Sequence, residues 1–131
     1  MTTTLSAVYR RYLDCLNERR WNNLDEFVCD DVYYNGQQIG LRGYRSMLEH
    51  DVETIPDLHF DAGILVADEH TVACRLLFHC TPERTFLGYA PTGSPISFAE
   101  HVFYRFRAGR IAEVSSLLDV RAIATQLQGT Q

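Results

Sequence analysis

The 131-residue chain reads as a single α+β domain in which a curved antiparallel sheet wraps around N-terminal helices. Three observations predict this class. Apolar residues recur at three-and-four spacing as far as Ile55 and alternate with polar ones from Leu58 onward. The later apolar runs are joined by short connections, which pair neighbouring strands antiparallel. Hydrophobic residues make up 46% and charged residues 22%, the balance of a globular chain with its own core rather than of a disordered or coiled-coil one. One domain spans 1–131, with its core at about 5–127.

The elements follow in order. Leu5, Val8, Tyr9, Tyr12, Leu13 and Leu16 form one helical face, with Arg10, Arg11, Asp14, Glu18 and Arg19 on the other. A short second helix places Leu24, Phe27 and Val28 on one face and ends at Asp30-Asp31. Val32-Tyr33-Tyr34 predicts a short strand and Asn35-Gly36 a turn. Tyr44, Met47, Leu48, Val52 and Ile55 predict a third helix, closed near Pro56. Then the period drops to two: Leu58 to Ile64, Thr71 to Phe78, Ile96 to Phe106 and Ile111 to Leu118 read as four strands. Ala67 to His70 is a tight turn, Pro82 to Pro95 a loop, and Ala108-Gly109 a hairpin turn. Val120 to Leu127 is a short terminal helix. Such a sheet buries one face on the helices. Strong curling turns it into a cone with a pocket between sheet and helices.

Several classes are excluded. A net charge of -5 argues against nucleic acid and against an anionic membrane as partner. No apolar run has the length of a membrane helix, and Met1 to Ser6 lacks a signal-peptide pattern, so a cytoplasmic location is expected. Cys15, Cys29, Cys74 and Cys80 form no Cys-x-x-Cys pair or zinc-spaced cluster, and buried reduced thiols are expected. There is no Gly-x-Ser-x-Gly elbow, phosphate-cradling loop or dinucleotide fingerprint.

A family pattern runs through the second half. Thr85-Phe86-Leu87-Gly88-Tyr89-Ala90-Pro91-Thr92-Gly93, Ile96-Ser97-Phe98, Phe103-Tyr104-Arg105-Phe106, Gly109 to Glu113, Leu118-Asp119 and Gln126-Leu127 resemble the SnoaL-like polyketide (ester) cyclases of the nuclear-transport-factor-2-like superfamily. Leu5 to Leu16, Trp21-Asn22 and Gly40 to Gly43 extend the likeness over roughly residues 5–127. The resemblance implies a conical α+β barrel with a deep apolar pocket, a homodimer packed through the outer sheet face, and a small hydrophobic ligand. It also implies ring closure by intramolecular aldol chemistry with no cofactor and no metal, and an acidic residue on the last strand, here Asp119, as acid/base. Where many relatives carry Gly-x-His, this chain has Cys80-Thr81-Pro82.

Asp119 has two readings from the residues themselves. It is a pocket carboxylate raised by desolvation, or the N-cap of the helix that starts at Val120. His101 and Glu100 alternate on one strand, so one of them faces inward. A three-residue hairpin loop pairs His101 with Ser115, and a two-residue loop pairs Glu100 with Leu117. His101 is taken as the inward residue, to polarise a carbonyl or tune Asp119. Tyr12, Trp21, Phe86, Tyr89 and Phe98 are candidate aromatic pocket walls, with His79 at the mouth. Tyr33 and Asn35 are candidate donors to an enolate oxygen. The function expected is a cofactor-independent cyclase or isomerase acting on a small carbonyl compound. The alternatives are a non-catalytic ligand-binding or dimerisation module and a ketosteroid-isomerase-like proton shuttle.

Overall fold

The computed structural model describes residues 4–128. Helix α1 (Leu5–Asn17) starts where the Thr4 hydroxyl accepts the Ala7 amide at 3.2 Å, and it buries Tyr9, Tyr12, Leu13 and Leu16 as its spacing requires. Its exit is fixed by Arg19, whose φ is 57° and whose guanidinium donates to the carbonyls of Leu16 and Leu58 at 3.0 and 2.6 Å. This ties the end of α1 to the segment that leads into the sheet.

The second helix is shorter than its sequence suggests. A 3-10 helix covers Trp21–Glu26 and buries Leu24. Val28 already belongs to strand β1 (Val28–Tyr34), which runs four residues further back than the expected Val32 start. Both residues are apolar and buried, and a short apolar run does not distinguish helix from strand. Asn35 and Gly36, at φ 47° and 84°, turn the chain into the two-residue strand β2 (Gln37–Gln38). Helix α2 (Gly40–Thr54) then buries Tyr44 and Leu48, with Ile55 just past its end.

The remaining strands are β3 (Asp61–Ala67), β4 (Thr71–Cys80), β5 (Ile96–Arg107) and β6 (Arg110–Leu118). They form a curved, unclosed six-stranded sheet in the order β2-β1-β6-β5-β4-β3. The four long strands pair antiparallel, as expected. The sheet as a whole is mixed, because β1 lies parallel to β6. That pairing joins strands far apart in sequence, and no local pattern announces it. The β3–β4 register shifts between Ala62 and Ile64, at Gly63. A Cβ on Gly63 would stand 2.7 Å from Leu77 Cδ1 and 3.2 Å from the Arg75 carbonyl, so the strands approach there only because the side chain is missing.

One buried cluster joins the inner face of the sheet to α1 and α2. Helix α3 (Val120–Leu127) adds Ile123 and Leu127 to it. Cys15, Cys29, Cys74 and Cys80 are buried free thiols. Among the described residues, no helix is long and apolar enough to cross a membrane.

Candidate active site

The hairpin between β5 and β6 decides which side chains face inward. Its loop has two residues, Ala108 and Gly109, and Arg107 pairs with Arg110. The register then slips by one after Phe106–Ile111, so that Arg105 pairs with Glu113, His101 with Leu117 and Glu100 with Leu118. Neither of the two registers expected from the loop length is observed, because the bulge lies within β6 rather than at the turn.

Glu100, not His101, is the inward residue. It shares its face with the buried Phe98, Val102, Tyr104 and Phe106. His101 lies on the outer face, where its Nε2 is 2.6 Å from Arg75 Nη1 and its partner Leu117 is 76% exposed. The alternation of β5 itself carries this information. Ile96, Phe98, Val102, Tyr104 and Phe106 are the largely apolar set, and Glu100 is the one carboxylic acid among them.

Facing Glu100 is a second carboxylic acid that sequence reasoning missed. Asp51 lies on α2, on the stripe of Tyr44, Leu48 and Ile55 at spacings of four, three and four, and that spacing was the available signal. Asp51 and Glu100 line one cavity of about 60 Å³, walled by Ile55, Leu58, Phe60, Phe78, Phe86, Phe98 and Leu118. The ring centroids step from Phe60 to Phe78 at 5.6 Å, from Phe78 to Phe98 at 5.0 Å and from Phe98 to Phe86 at 5.9 Å. Phe86 and Phe98 are therefore cavity walls.

Burial disfavours the charge on both acids. Desolvation, with the nearby Glu100 charge, raises Asp51 to about 6, and His50 opposes this. Desolvation also raises Glu100, while the Ser116 hydroxyl, donating to Glu100 Oε2, pulls it back. Among the described residues, the Asp51 side chain makes no hydrogen bond. Ser116 is itself placed by Asn35, whose Oδ1 accepts the Ser116 amide at 2.8 Å and whose Nδ2 donates to the Ser116 carbonyl at 3.4 Å. The Asn35 amide group thus holds strand β6. The inward phenol on β1 is half-buried Tyr34, packed on Tyr44 with centroids 6.4 Å apart. Tyr33 is 41% exposed, the opposite of its expected orientation, because alternation puts Val32 and Tyr34 on the buried side.

Below the cavity lies a layer of tyrosines. The Tyr12 and Tyr44 hydroxyls are 2.6 Å apart, and Tyr9 donates to Tyr104 at 3.2 Å. All four phenols are pushed up by burial, and the Glu100 charge adds to this for Tyr12, Tyr44 and Tyr104. Tyr12 is core here rather than cavity wall.

Asp119 takes the capping alternative. Its Oδ1 accepts the Ala122 amide at 3.1 Å at the start of α3, and the side chain is exposed. Asp119 and His101 meet only in a shallow outer cleft of about 350 Å³, with Arg75 and Leu117. His79, held by Ser97 at 2.8 Å, also faces outward, in an open groove of about 570 Å³ that Asp119 borders. Trp21 lines a separate surface cleft of about 550 Å³ with Asp30, Arg42 and Arg45. Tyr89 is half-buried beside Phe86, with which it exchanges two backbone hydrogen bonds of 2.9 Å. The open clefts are larger. The smaller, less open cavity is the place where two acids raised by burial meet apolar walls, which makes it the candidate site.

The comparisons agree with this architecture. The family model for SnoaL-like polyketide cyclase matches residues 6–127. The crystal structure of a SnoaL-like polyketide cyclase from Agrobacterium tumefaciens is 46% identical, covers 96% of this chain and 99% of its own, and superposes with a TM-score of 0.93. IdmH from Streptomyces antibioticus, a candidate polyketide cyclase, is 21% identical over 97% of this chain and 100% of its own, with a TM-score of 0.85. AclR from Streptomyces galilaeus, a candidate hydroxylase, is 20% identical over 97% of both chains, with a TM-score of 0.80. A comparison with curated protein sequences finds no match. The last two structures share the fold alone, but the first is too similar over too much of both chains for fold sharing alone. With the family model spanning the helices, the cavity walls and both strands of the β5–β6 hairpin, the chain belongs to the SnoaL-like polyketide cyclase family.

Proposed function

We propose that the protein is a cofactor-independent acid/base enzyme of the cyclase or isomerase kind, with Glu100 and Asp51 as its catalytic pair. The observation that carries this is the meeting of two carboxyl groups, from different elements, in one small, mostly apolar cavity. Their surroundings push them toward different roles. Ser116 donates to Glu100 and favours its charged form, which suits a base. Burial and the Glu100 charge raise Asp51 to about 6, so it binds a proton more readily than a free carboxyl and can act as the donor.

The steps balance without any other group. The Glu100 carboxylate takes a proton from a carbon next to a carbonyl. The C–H electron pair becomes the enolate, whose oxygen is met by the Asp51 acid. In a cyclisation, the enolate carbon then attacks a second carbonyl of the same molecule, a carbon–carbon bond forms, and the new alkoxide takes the proton from Glu100. In an isomerisation, the proton returns to a different carbon. The ligand class is a small hydrophobic carbonyl compound.

The test is exchange of the α-protons of 1-indanone in D₂O, followed by proton NMR. Glu100→Gln is expected to lower the rate by about 10²-fold or more, with a cooperative melting transition retained. An unchanged rate would sink the reading and leave a ligand-binding module.

For the outer face we propose a homodimer. Ile64, Val66, Leu77, Phe103 and Leu117 are between 40 and 76% exposed there and span β3 to β6. The four buried free thiols suit a reducing, cytoplasmic setting.

A further inference from the structure

We infer that Phe86 sets the size of ligand the Glu100–Asp51 cavity admits, and that the Phe86–Tyr89 hairpin swings aside to let a ring-bearing carbonyl or enol compound in. This rests on the acid/base reading of the cavity. The cavity measures about 60 Å³, whereas one that holds a single benzene is roughly 150 Å³. A six-membered ring therefore exceeds the space present, and Phe86 is one of the walls that limits it.

The other aromatic walls cannot yield easily. Phe60, Phe78 and Phe98 are buried, and the last two are ladder residues of β4 and β5. Phe86 is half-buried and belongs to the long connection between those strands. Its hairpin is a unit closed on itself. Phe86 and Tyr89 exchange both backbone hydrogen bonds around Leu87 and Gly88, at φ 52° and 85°.

The stem before it is tied down. The Thr81 amide donates to Asp57 at 2.9 Å, the Glu83 amide to the Thr54 carbonyl at 2.8 Å, and Arg84 meets Glu53 at 3.5 Å. From Thr85 to Pro95, each hydrogen bond among the described residues stays within the loop. The hairpin can rotate about its stem as one body, and what it gives up is apolar contact, chiefly Phe86 on Phe98. Leu87, at the exposed tip, makes no part of the cavity wall.

The experiment is calorimetric titration of phenol and 2-naphthol into the wild type, Phe86→Ala, Phe86→Trp and Leu87→Ala. Phe86→Ala is expected to bind 2-naphthol at least tenfold more tightly than the wild type, with a smaller gain for phenol. Phe86→Trp is expected to weaken both, and Leu87→Ala to change neither. If Phe86→Ala does not fold, Phe86→Leu carries the same comparison with a smaller gain. The inference is overturned if truncation leaves the ratio of the two affinities within twofold of wild type, if Leu87→Ala shifts it equally, or if neither probe binds any folded variant. Binding alone is read here, whereas the acid/base reading is judged on proton exchange in Glu100→Gln, so either can fail by itself.

Discussion

Ser116 donates its hydroxyl to the Glu100 carboxylate from the neighbouring strand, one diagonal step away on the inner face of the sheet. The bond favours the charged acid and opposes the rise that burial imposes on Glu100. Ser116→Ala therefore raises the Glu100 pKa further. A base must be deprotonated to act, so the rising limb of the pH–rate profile for 1-indanone exchange is expected to move to higher pH, with activity recovered above it. A profile that keeps its position while the rate drops at every pH would mean that Ser116 does not tune Glu100.

Asp51 makes stability depend on pH in the direction opposite to an ion-paired carboxylate. In the folded protein it holds its proton up to about pH 6, while in the unfolded chain it loses it near 3.9. Below about 4 both states are protonated and the contribution is fully present. Between the two values the folded state binds more protons, so stability falls as pH rises and levels off above about 6. The full loss is roughly 2–3 kcal/mol at about 1.4 kcal/mol per pKa unit. Urea unfolding of the wild type and Asp51→Asn from pH 4 to 8 checks this. The two curves are expected to diverge across that window, with the variant the more stable above it. Parallel curves would show that Asp51 titrates normally.

Asp119 offers a clean separation of fold from chemistry. As the N-cap of α3, it satisfies the Ala122 amide, and its loss leaves that donor to water. Asp119→Ala is expected to lower stability by about 1 kcal/mol. Asp119→Asn should lose little, since asparagine caps nearly as well. Both should retain 1-indanone exchange, because the side chain lies outside the cavity. Loss of exchange in Asp119→Asn with an unchanged denaturation midpoint would return the catalytic role to Asp119.

The sequence was more informative about faces than about registers. Helices α1 and α2 and strands β4, β5 and β6 follow from spacing, because each buries one regular face. Strand β3, in contrast, starts at Asp61 rather than Leu58, and its bulge at Gly63 turns Ile64 to the outer side, away from the face expected of it. The parallel β1–β6 pair is non-local, and the one-residue slip after Phe106–Ile111 is a bulge that no residue type at Ala112 marks. Those two features hid the site. Inferring the inward face of β5 from hairpin length led to His101, whereas the strand's own alternation isolates Glu100. Tyr34 in place of Tyr33 follows from the same alternation on β1. Asp51 was legible only as one acid on an otherwise apolar helical stripe, where a polar residue can also be a boundary position. That it meets Glu100 is a fact of tertiary packing.

The outer face gives the last prediction. Phe103 is 58% exposed on β5 and Leu117 76% exposed on β6, with Ile64 and Val66 at 59 and 60% on β3. A strip of that kind across a sheet is uncommon on a monomer, and each large apolar side chain that a second copy covers contributes about 1.5–3 kcal/mol. The wild type is therefore expected to elute with light scattering at twice 15.0 kDa. Replacing Phe103 and Leu117 together by glutamate puts like charges into the contact and should return the protein to a single-chain mass. Glu100 and Asp51 face the other side of the sheet, so each separated protomer should still exchange 1-indanone protons. A wild type that elutes as one chain would remove the dimer. A double variant that separates and loses exchange would mean that the cavity depends on its partner.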